Sequence, residues 1–409
     1  MLFLLLLLLT VFAGEARATD YYVALGGSGS TCSFVSPCGT IAVGITKLTA
    51  GDTLFLRGGT YSESINSDSQ TIPTGTAWDN AVTIASYPGE SATLRPNSGV
   101  LINFNTYNSA YDIKYLIFDR LILDGSGAVH VVSFTGNPAG FAIHHIRIQN
   151  SELKNSVGDG IDLGAINQVT ANSHHNEWLN NDIHHSAHSY GFYIGGDANL
   201  VDGNSIHDNA GYALQLQYAG NGIIVRNNRM YNNGFNRQVG CIVLDGGDND
   251  QVYNNLIYNN NGGITVRYNT TGHFPDNTQI YNNTLYNNGP GLGGSPIGIE
   301  IGGDGTHPTN TQVKNNILWQ SDTVTNPGGI NTDSSNNLTT DPLFVNAADG
   351  NFALQTISPA INAGVTIVVV LADIIGTLRP QGCCYDIGAY EAILASVKSQ
   401  RVVRNSSGG

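Results

Sequence analysis

Val252-Tyr253-Asn254-Asn255-Leu256-Ile257-Tyr258 decides the fold, because the chain writes the same phrase repeatedly. Trp178-Leu179-Asn180-Asn181-Asp182-Ile183-His184, Val201-Asp202-Gly203-Asn204-Ser205-Ile206-His207 and Val225-Arg226-Asn227-Asn228-Arg229-Met230-Tyr231 precede it. Ile280-Tyr281-Asn282-Asn283-Thr284-Leu285-Tyr286 and Val313-Lys314-Asn315-Asn316-Ile317-Leu318-Trp319 follow. Aliphatic residues alternate with outward ones, the mark of half-buried strands, and the Asn pair interrupts the alternation as a bend. Aligned on the second Asn, with Ser151 ahead, the copies step by 30, 23, 24, 27, 28 and 33 residues. Such steps suit one turn of a stacked β-solenoid with loops of varying length, and are too irregular for a leucine-rich or propeller repeat.

Stacking turns each aligned position into a column. Ser151, Asn181, Asn204, Asn228, Asn255, Asn283 and Asn316 form one in which each amide can bond its neighbours above and below, about 4.8 Å away. A second alternating run in each turn reads Ile161-Asp162-Leu163, Phe192-Tyr193-Ile194, Leu214-Gln215-Leu216, Ile242-Val243-Leu244, Ile264-Thr265-Val266 and Ile299-Glu300-Ile301. Its aliphatics belong in the core. Asp162, Tyr193, Gln215, Val243, Thr265 and Glu300 belong on one outer face, either solvated or in contact with a ligand.

Just after the Asn column runs an outward stripe of Lys154, His184, His207, Tyr231, Tyr258, Tyr286 and Trp319. Aromatic faces in such a row suit the C–H faces of sugars. The same row also fits a cross-strand ladder that merely stabilises a sheet. Histidine is concentrated nearby, with seven of the 11 between His144 and His188. Alignment sets His144 over His174 and His145 over His175. Clustered imidazoles can bind a metal or act as a base near neutral pH. His145, His175, His184 and Lys154 are the candidate catalytic groups. Tyr193, His207, Tyr231, Tyr258, Tyr286 and Trp319 are the candidate substrate contacts. No His-Glu-x-x-His spacing occurs, so no cofactor is specified; Asp159 and Asp162 are the candidate metal ligands, with calcium the candidate ion.

Composition narrows the partners. The chain has 50 Gly, 12% charged residues and a formal net charge of −14, with 17 basic against 31 acidic residues. That balance argues against nucleic acid, which demands clustered Lys and Arg. The Leu-rich start, Leu2 to Ala13, ends at Ala16-Arg17-Ala18, the small-x-small form of a signal-peptidase site, so residues 1–18 are expected to be a signal peptide and the protein to be secreted. No second apolar stretch is long enough to be a transmembrane segment. Of five cysteines, Cys32 and Cys38 close a short loop and are expected to be disulfide-bonded. Cys241 is expected to be a free thiol filling a small gap. Cys383 and Cys384 are adjacent and poorly disposed to bond each other, so one is expected to pair elsewhere.

The opening, with Thr40-Ile41-Ala42-Val43-Gly44-Ile45, Gly51-Asp52-Thr53-Leu54-Phe55-Leu56 and Gly58-Gly59-Thr60-Tyr61, resembles the start of secreted right-handed parallel β-helix proteins of the pectate lyase-like kind. The resemblance implies a cap and first coil over 19–63, with a short helix turning Ile41 and Ile45 onto the open core. The stretch from Asn336 carries Asp341-Pro342-Leu343-Phe344-Val345, Ser358-Pro359-Ala360-Ile361-Asn362-Ala363-Gly364 and Asp386-Ile387-Gly388-Ala389-Tyr390-Glu391. It is similar to the terminal segment of choice-of-anchor Q domain proteins. That implies last coils and a C-terminal cap over 336–391, then a disordered tail over 392–409. The resemblance carries fold and secretion, but no single reaction. Polygalacturonase-like enzymes show paired Asp-Asp and Gly-His-Gly, both missing here, while Asn331-Thr332-Asp333 falls late and outside the strand register. Of the Tyr-Gly-x-Asp-x-His run of mannuronan epimerase-like sites only Tyr190-Gly191 is matched, and Lys154 is the one candidate lyase-type base.

The expected architecture is thus all-β: a single right-handed parallel β-helix over 19–391 with eight to eleven coils and an Asn ladder. The expected function is action on a polysaccharide, as a lyase or epimerase-like enzyme; a non-catalytic glycan-binding surface or matrix protein is the alternative. A monomer is expected.

Overall fold

A computed structural model describes residues 18–107, 109–127, 130–156, 172–187, 190–217, 220–234, 240–267, 275–289 and 297–393. Residues 1–17 of the expected signal peptide, Asp159, Asp162, the Ile161-Asp162-Leu163 run and most of the expected tail lie outside these residues. The chain winds as a right-handed parallel β-helix with three faces. Sheet one is 13-stranded and runs from Asp20–Val23 to Asp333–Ser335. Twelve of its strands lie on one continuous path, more than the eight to eleven coils expected, because strands are already paired from Asp20 onward. Sheet two has 10 strands, from Gly59–Tyr61 to Ile317–Trp319. The third face is a 3-stranded sheet in the early coils and a 6-stranded one, sheet three, from Phe192–Ile194 to Val324–Thr325.

One coil shows why this sequence bends where it does. Strand Glu177–Leu179 of sheet one ends at Asn180, whose φ of 55° is left-handed, and Asn181 then turns inward. Strand Asp182–His184 of sheet two ends at His185, φ 62°, and Ser186 turns inward. Strand Phe192–Ile194 of sheet three leads to Ala198, φ 53°, before Asn199 turns inward and the next coil begins. Asn tolerates the left-handed region better than other residues with a Cβ, so an Asn pair divides its labour. The first Asn makes the corner and the second is buried behind it. Where the first is replaced, at Gly203, φ is 73° and an added Cβ would lie 2.4 Å from the Asn180 amide oxygen, so glycine serves there.

The expected Asn ladder is present and longer than expected. The backbone N–H of Ser151, Asn181, Asn204, Asn228, Asn255, Asn283 and Asn316 each donates to the side-chain oxygen of the next member, ending on Asn337. A second ladder at the sheet-two corner joins Ser186, Asn209, Asn233, Asn260, Asn288 and Ser321 in the same way. A third begins at Asn176 and Asn199. Asp333 continues sheet one in register with Gln312, which corrects its reading as lying outside the register. Coiling therefore persists as far as Leu338, whose backbone bridges Ile317, and only the stretch after it departs.

The ends are closed differently. Helix Ile41–Ile45 starts at the Thr40 cap and buries Ile41 and Ile45 over the first coil, as expected. Cys32 and Cys38 are disulfide-bonded beside it. Cys241 is a buried free thiol, and Cys383 and Cys384 are both free, their sulfurs 3.2 Å apart. The C-terminal stretch is a strap and not further coils. Its antiparallel pair Phe344–Asn346 and Asn351–Leu354 sets Phe344 and Phe352 against Tyr258 and Tyr286 of sheet two. Ile367, Val370 and Tyr385 then pack on Tyr253 and Tyr281 of sheet one. Corner asparagines hold it: the Asn254, Asn282 and Asn315 amides donate to the carbonyls of Ala372, Asp386 and Val365 at 2.7, 3.0 and 2.8 Å.

Candidate functional site

The strap leaves the earlier coils uncovered, and the predicted site residues there fall on three faces. His145 and His175 lie at a corner of sheet one. Lys154, His184, His207 and Tyr231 line sheet two, and Tyr193 lies on sheet three. They do not form one groove, since each bend between strands redirects the outward side chains to a new face.

On sheet two the stripe is in register from Lys154 to Trp319. Parallel strands about 4.8 Å apart repeat the same rotamer, so rings stack face to face. His184 lies 5.0 Å from His207, His207 4.7 Å from Tyr231 and Tyr231 5.1 Å from Tyr258, at interplanar angles of 14°, 7° and 15°. The faces expected to meet sugars are thus taken by neighbouring rings, and edges point outward. Phe352 covers Tyr258 and Tyr286, and Trp319 joins the same cluster.

The polar groups of this stripe are already engaged. Lys154 Nζ and His184 Nε2 both meet Glu152 Oε1, at 2.7 and 3.1 Å. His207 is held between Asp182 at 2.9 Å and Asp208 at 2.7 Å. Burial opposes its charge, but bonds and charges from both carboxylates outweigh burial and raise its pKa. Carboxylates at both ring nitrogens favour the charged imidazole, which suits a fastener better than a base. Burial lowers the His184 pKa.

Sheet one offers a cleft. Four imidazoles form a two-by-two grid at its edge: His144 stacks on His174 at 5.1 Å and His145 on His175 at 5.3 Å. Across each pair the Nδ1 atoms are 2.6 and 2.8 Å apart. Burial, then the neighbouring imidazoles, holds His144 down to about 4, and burial followed by His175 lowers His145. Among the described residues no group of three or more His, Cys, Asp and Glu is arranged to hold a metal.

Trp78, which nothing in the repeat pattern singled out, reaches over from an earlier coil. It meets Tyr115 edge-on at 5.6 Å and His145 at 5.7 Å, with the Arg147 guanidinium 4.1 Å above its ring. Behind it opens a cleft of about 340 Å³, lined by Trp78, His145, His175, Glu177, Leu200, Ile224 and Arg226 among others. Arg147 pairs with Glu177 at 2.6 Å and Arg226 with Asp202 at 2.7 Å. Leu200 and Ile224 occupy outward positions on neighbouring strands, an apolar floor between charged walls. Apolar lining with a few converging polar groups is the usual make-up of a ligand site. Glu177 was legible as a carboxylate near the histidines, able to orient or tune them; Arg147 and Arg226 were legible only as outward residues of sheet one, and Trp78 carried no signal at all.

Comparisons with known proteins concern the coil and little else. Residues 164–342 match the family model described as a right handed beta helix region. A crystal structure of the pectate lyase Pel9A superposes with a TM-score of 0.60 over 92% of this chain and 97% of that one, at 16% identity. The GH136 lacto-N-biosidase from Eubacterium ramulus superposes with a TM-score of 0.50 over 79% of this chain and 68% of that one, at 11% identity. At such identities the likeness is one of fold. No curated protein matches the sequence. No helix among the described residues is long and apolar enough to cross a membrane.

Proposed function

We propose that the protein is a secreted polysaccharide-acting enzyme of the lyase or epimerase type, working in the sheet-one cleft. The observation that carries this is the meeting of Trp78, His145, His175, Glu177 and Arg226 over an apolar floor. It is supported by a fold shared with the solved pectate lyase, an argument by analogy that bears on no residue.

The chemistry follows from the groups present. A uronic acid residue has an acidified proton on the carbon beside its carboxylate. Arg226, which lines the cleft, supplies the positive charge for that carboxylate. His145, kept neutral by burial, is a base at neutral pH. In elimination the carbon–hydrogen bond breaks, a carbon–carbon double bond forms, and the glycosidic oxygen leaves with a proton, which we assign to His175. In epimerisation a proton returns to the opposite face instead.

The mature protein should be incubated with polygalacturonate, alginate and rhamnogalacturonan, and the ultraviolet absorbance of unsaturated uronic acid followed. Product is expected, with a loss of about 10²-fold in His145→Gln and little change in His184→Gln. Absence of both unsaturated product and solvent-deuterium incorporation across the panel, with and without calcium, would remove the catalytic reading. A second reading, glycan binding without chemistry, is favoured by one observation: Arg147 and Arg226 are each already neutralised by a carboxylate. Quenching of Trp78 fluorescence by a polymer that is recovered unchanged distinguishes it.

A further inference from the structure

The strap carries two thiols that neither the cleft nor the coil uses. The chain has five cysteines. Cys32 and Cys38 are bonded to each other, and Cys241 is 1% exposed in the core, where no surface thiol can reach it. Cys383 is exposed and Cys384 half-buried, and their sulfurs are 3.2 Å apart. Elimination therefore leaves each of these two with one possible partner in its own chain, the other. The expectation that one of them pairs elsewhere has no cysteine to meet it.

The turn that presents the pair is braced on both sides. Buried Glu391 accepts from Gln381 N at 2.8 Å and from Asp386 N at 3.0 Å, and so clamps the two flanks of the dithiol. Asn362 Oδ1 accepts from Cys384 N at 3.3 Å, and Gly364 N donates to Tyr385 O at 2.8 Å. A Cβ added at Gly382 would lie 2.0 Å from Asn362 Oδ1, so only glycine lets the turn pass that amide. With the backbone fixed, the sulfurs are held together at the surface. Closing 3.2 Å to a bond of about 2.05 Å takes about 1 Å of side-chain movement. The Cys32–Cys38 bond shows that the chain matures where disulfides form.

We infer that Cys383 and Cys384 are a redox-active dithiol that closes to a vicinal disulfide. The oxidant is a disulfide, carried by a protein oxidoreductase or by oxidised glutathione. Cys383, the more exposed, attacks one sulfur of that disulfide as thiolate and releases the other as a thiolate. Cys384 then loses its proton and attacks Cys383 Sγ, displacing the second thiolate. Two S–H bonds of the protein become one S–S bond, and two electrons and two protons pass to the oxidant, which leaves as two thiols. The ring closes over adjacent residues and constrains the unfolded chain hardly at all, so it is no staple of the fold. Its effect is on surface chemistry, since it withdraws two thiols that could otherwise cross-link one copy to another. Exposed at the surface, it should also be the more easily reduced of the two disulfides, Cys32 and Cys38 being buried.

The test is a thiol count by alkylation and peptide mass on the full chain after treatment with excess oxidised glutathione. The peptide holding Cys383 and Cys384 is expected unalkylated and lighter by two hydrogens than the dithiol, with Cys241 the one thiol released by denaturant. Graded dithiothreitol under native conditions should then free this pair before Cys32 and Cys38, and the reduced pair should capture phenylarsine oxide, which bridges neighbouring thiols. Neither step should shift Tm by more than a degree or two. Cys384→Ser, which lacks the second thiol, is expected to stop at the stable glutathione adduct on Cys383. Two free thiols in the treated parent, a lasting glutathione adduct on it, or a disulfide-linked dimer through these residues would each overturn the inference.

Discussion

Asp250 stands in the third inward corner, where Asn176 and Asn199 stand in earlier coils. Its Oδ1 accepts from Ile223 N at 2.8 Å as theirs do from their neighbours, but its Oδ2 has no partner. Full burial, joined by the charges of Asp248 and Asp197, drives its pKa well above the ordinary carboxylate range. The unfolded chain therefore loses this proton near pH 4 while the folded one keeps it, so stability falls as pH rises above about 4. Asp250→Asn should restore an amide and raise stability by about 1–3 kcal/mol at neutral pH. The gain should shrink toward pH 4; melting curves of the two proteins that stay parallel from acid to neutral pH would refute this account. His207 works in the same direction for a different reason, its charged form being held by two carboxylates. Its folded pKa is raised, so the stability it contributes is complete below about 6.5 and lost as pH climbs through the folded value. His207→Gln should accordingly cost more Tm in mild acid than at alkaline pH.

At the level of the element, the ladders and the ring stack follow from one fact, the in-register parallel repeat. Asn255 illustrates the ladder. Its oxygen accepts from the backbone and side-chain amides of Asn228, and its own amide donates to Val225 O and to Asn283 Oδ1. Asn255→Ala would strand several buried groups together, and should cost about 1–3 kcal/mol or somewhat more in denaturant unfolding. Asn259, the corner residue of the same coil, is exposed and should tolerate glycine far better, because its task is a φ of 56°. A comparable cost for both substitutions would mean that the corner and the ladder are not separate roles.

For the molecule as a whole, the C-terminal strap decides which faces stay open. It covers Tyr253 and Tyr281 on sheet one and Tyr258 and Tyr286 on sheet two, and so confines ligand access on those faces to the coils before them. The strap is locked by Arg379 and Glu391, an ion pair with side chains 0% and 1% exposed, in which the guanidinium also donates to Asp386 O and Gly388 O. Phe352 is its apolar anchor, fully buried between the two tyrosines. Phe352→Ala should cost about 3–5 kcal/mol at that contact. Because the coils behind it are held by their own ladders, the expected outcome is local: faster proteolysis after Leu338 with the coiled part intact. Cleavage throughout the coils at the same rate would show that the strap is instead part of the global fold.

Much of this was legible in the chain. The Asn ladder, the inward aliphatics, the register of the Lys154-to-Trp319 stripe, the capping helix and the Cys32–Cys38 bond could all be read, because a parallel stack makes spatial columns out of sequence alignment. The second ladder was equally present just after each phrase, as Asn233, Asn260 and Asn288, where a second Asn pair makes the next corner. What alignment could not yield is anything that depends on the direction of a ring or on a contact between distant coils. Stacked rings spend their faces on one another, Trp78 reaches His145 from a loop outside the repeat, and the strap returns across coils long since completed. Sequence by itself determined the coil, since strand, corner and ladder are local and repeated; only tertiary structure decided which faces carry a site, because burial and convergence belong to side chains brought together by the winding.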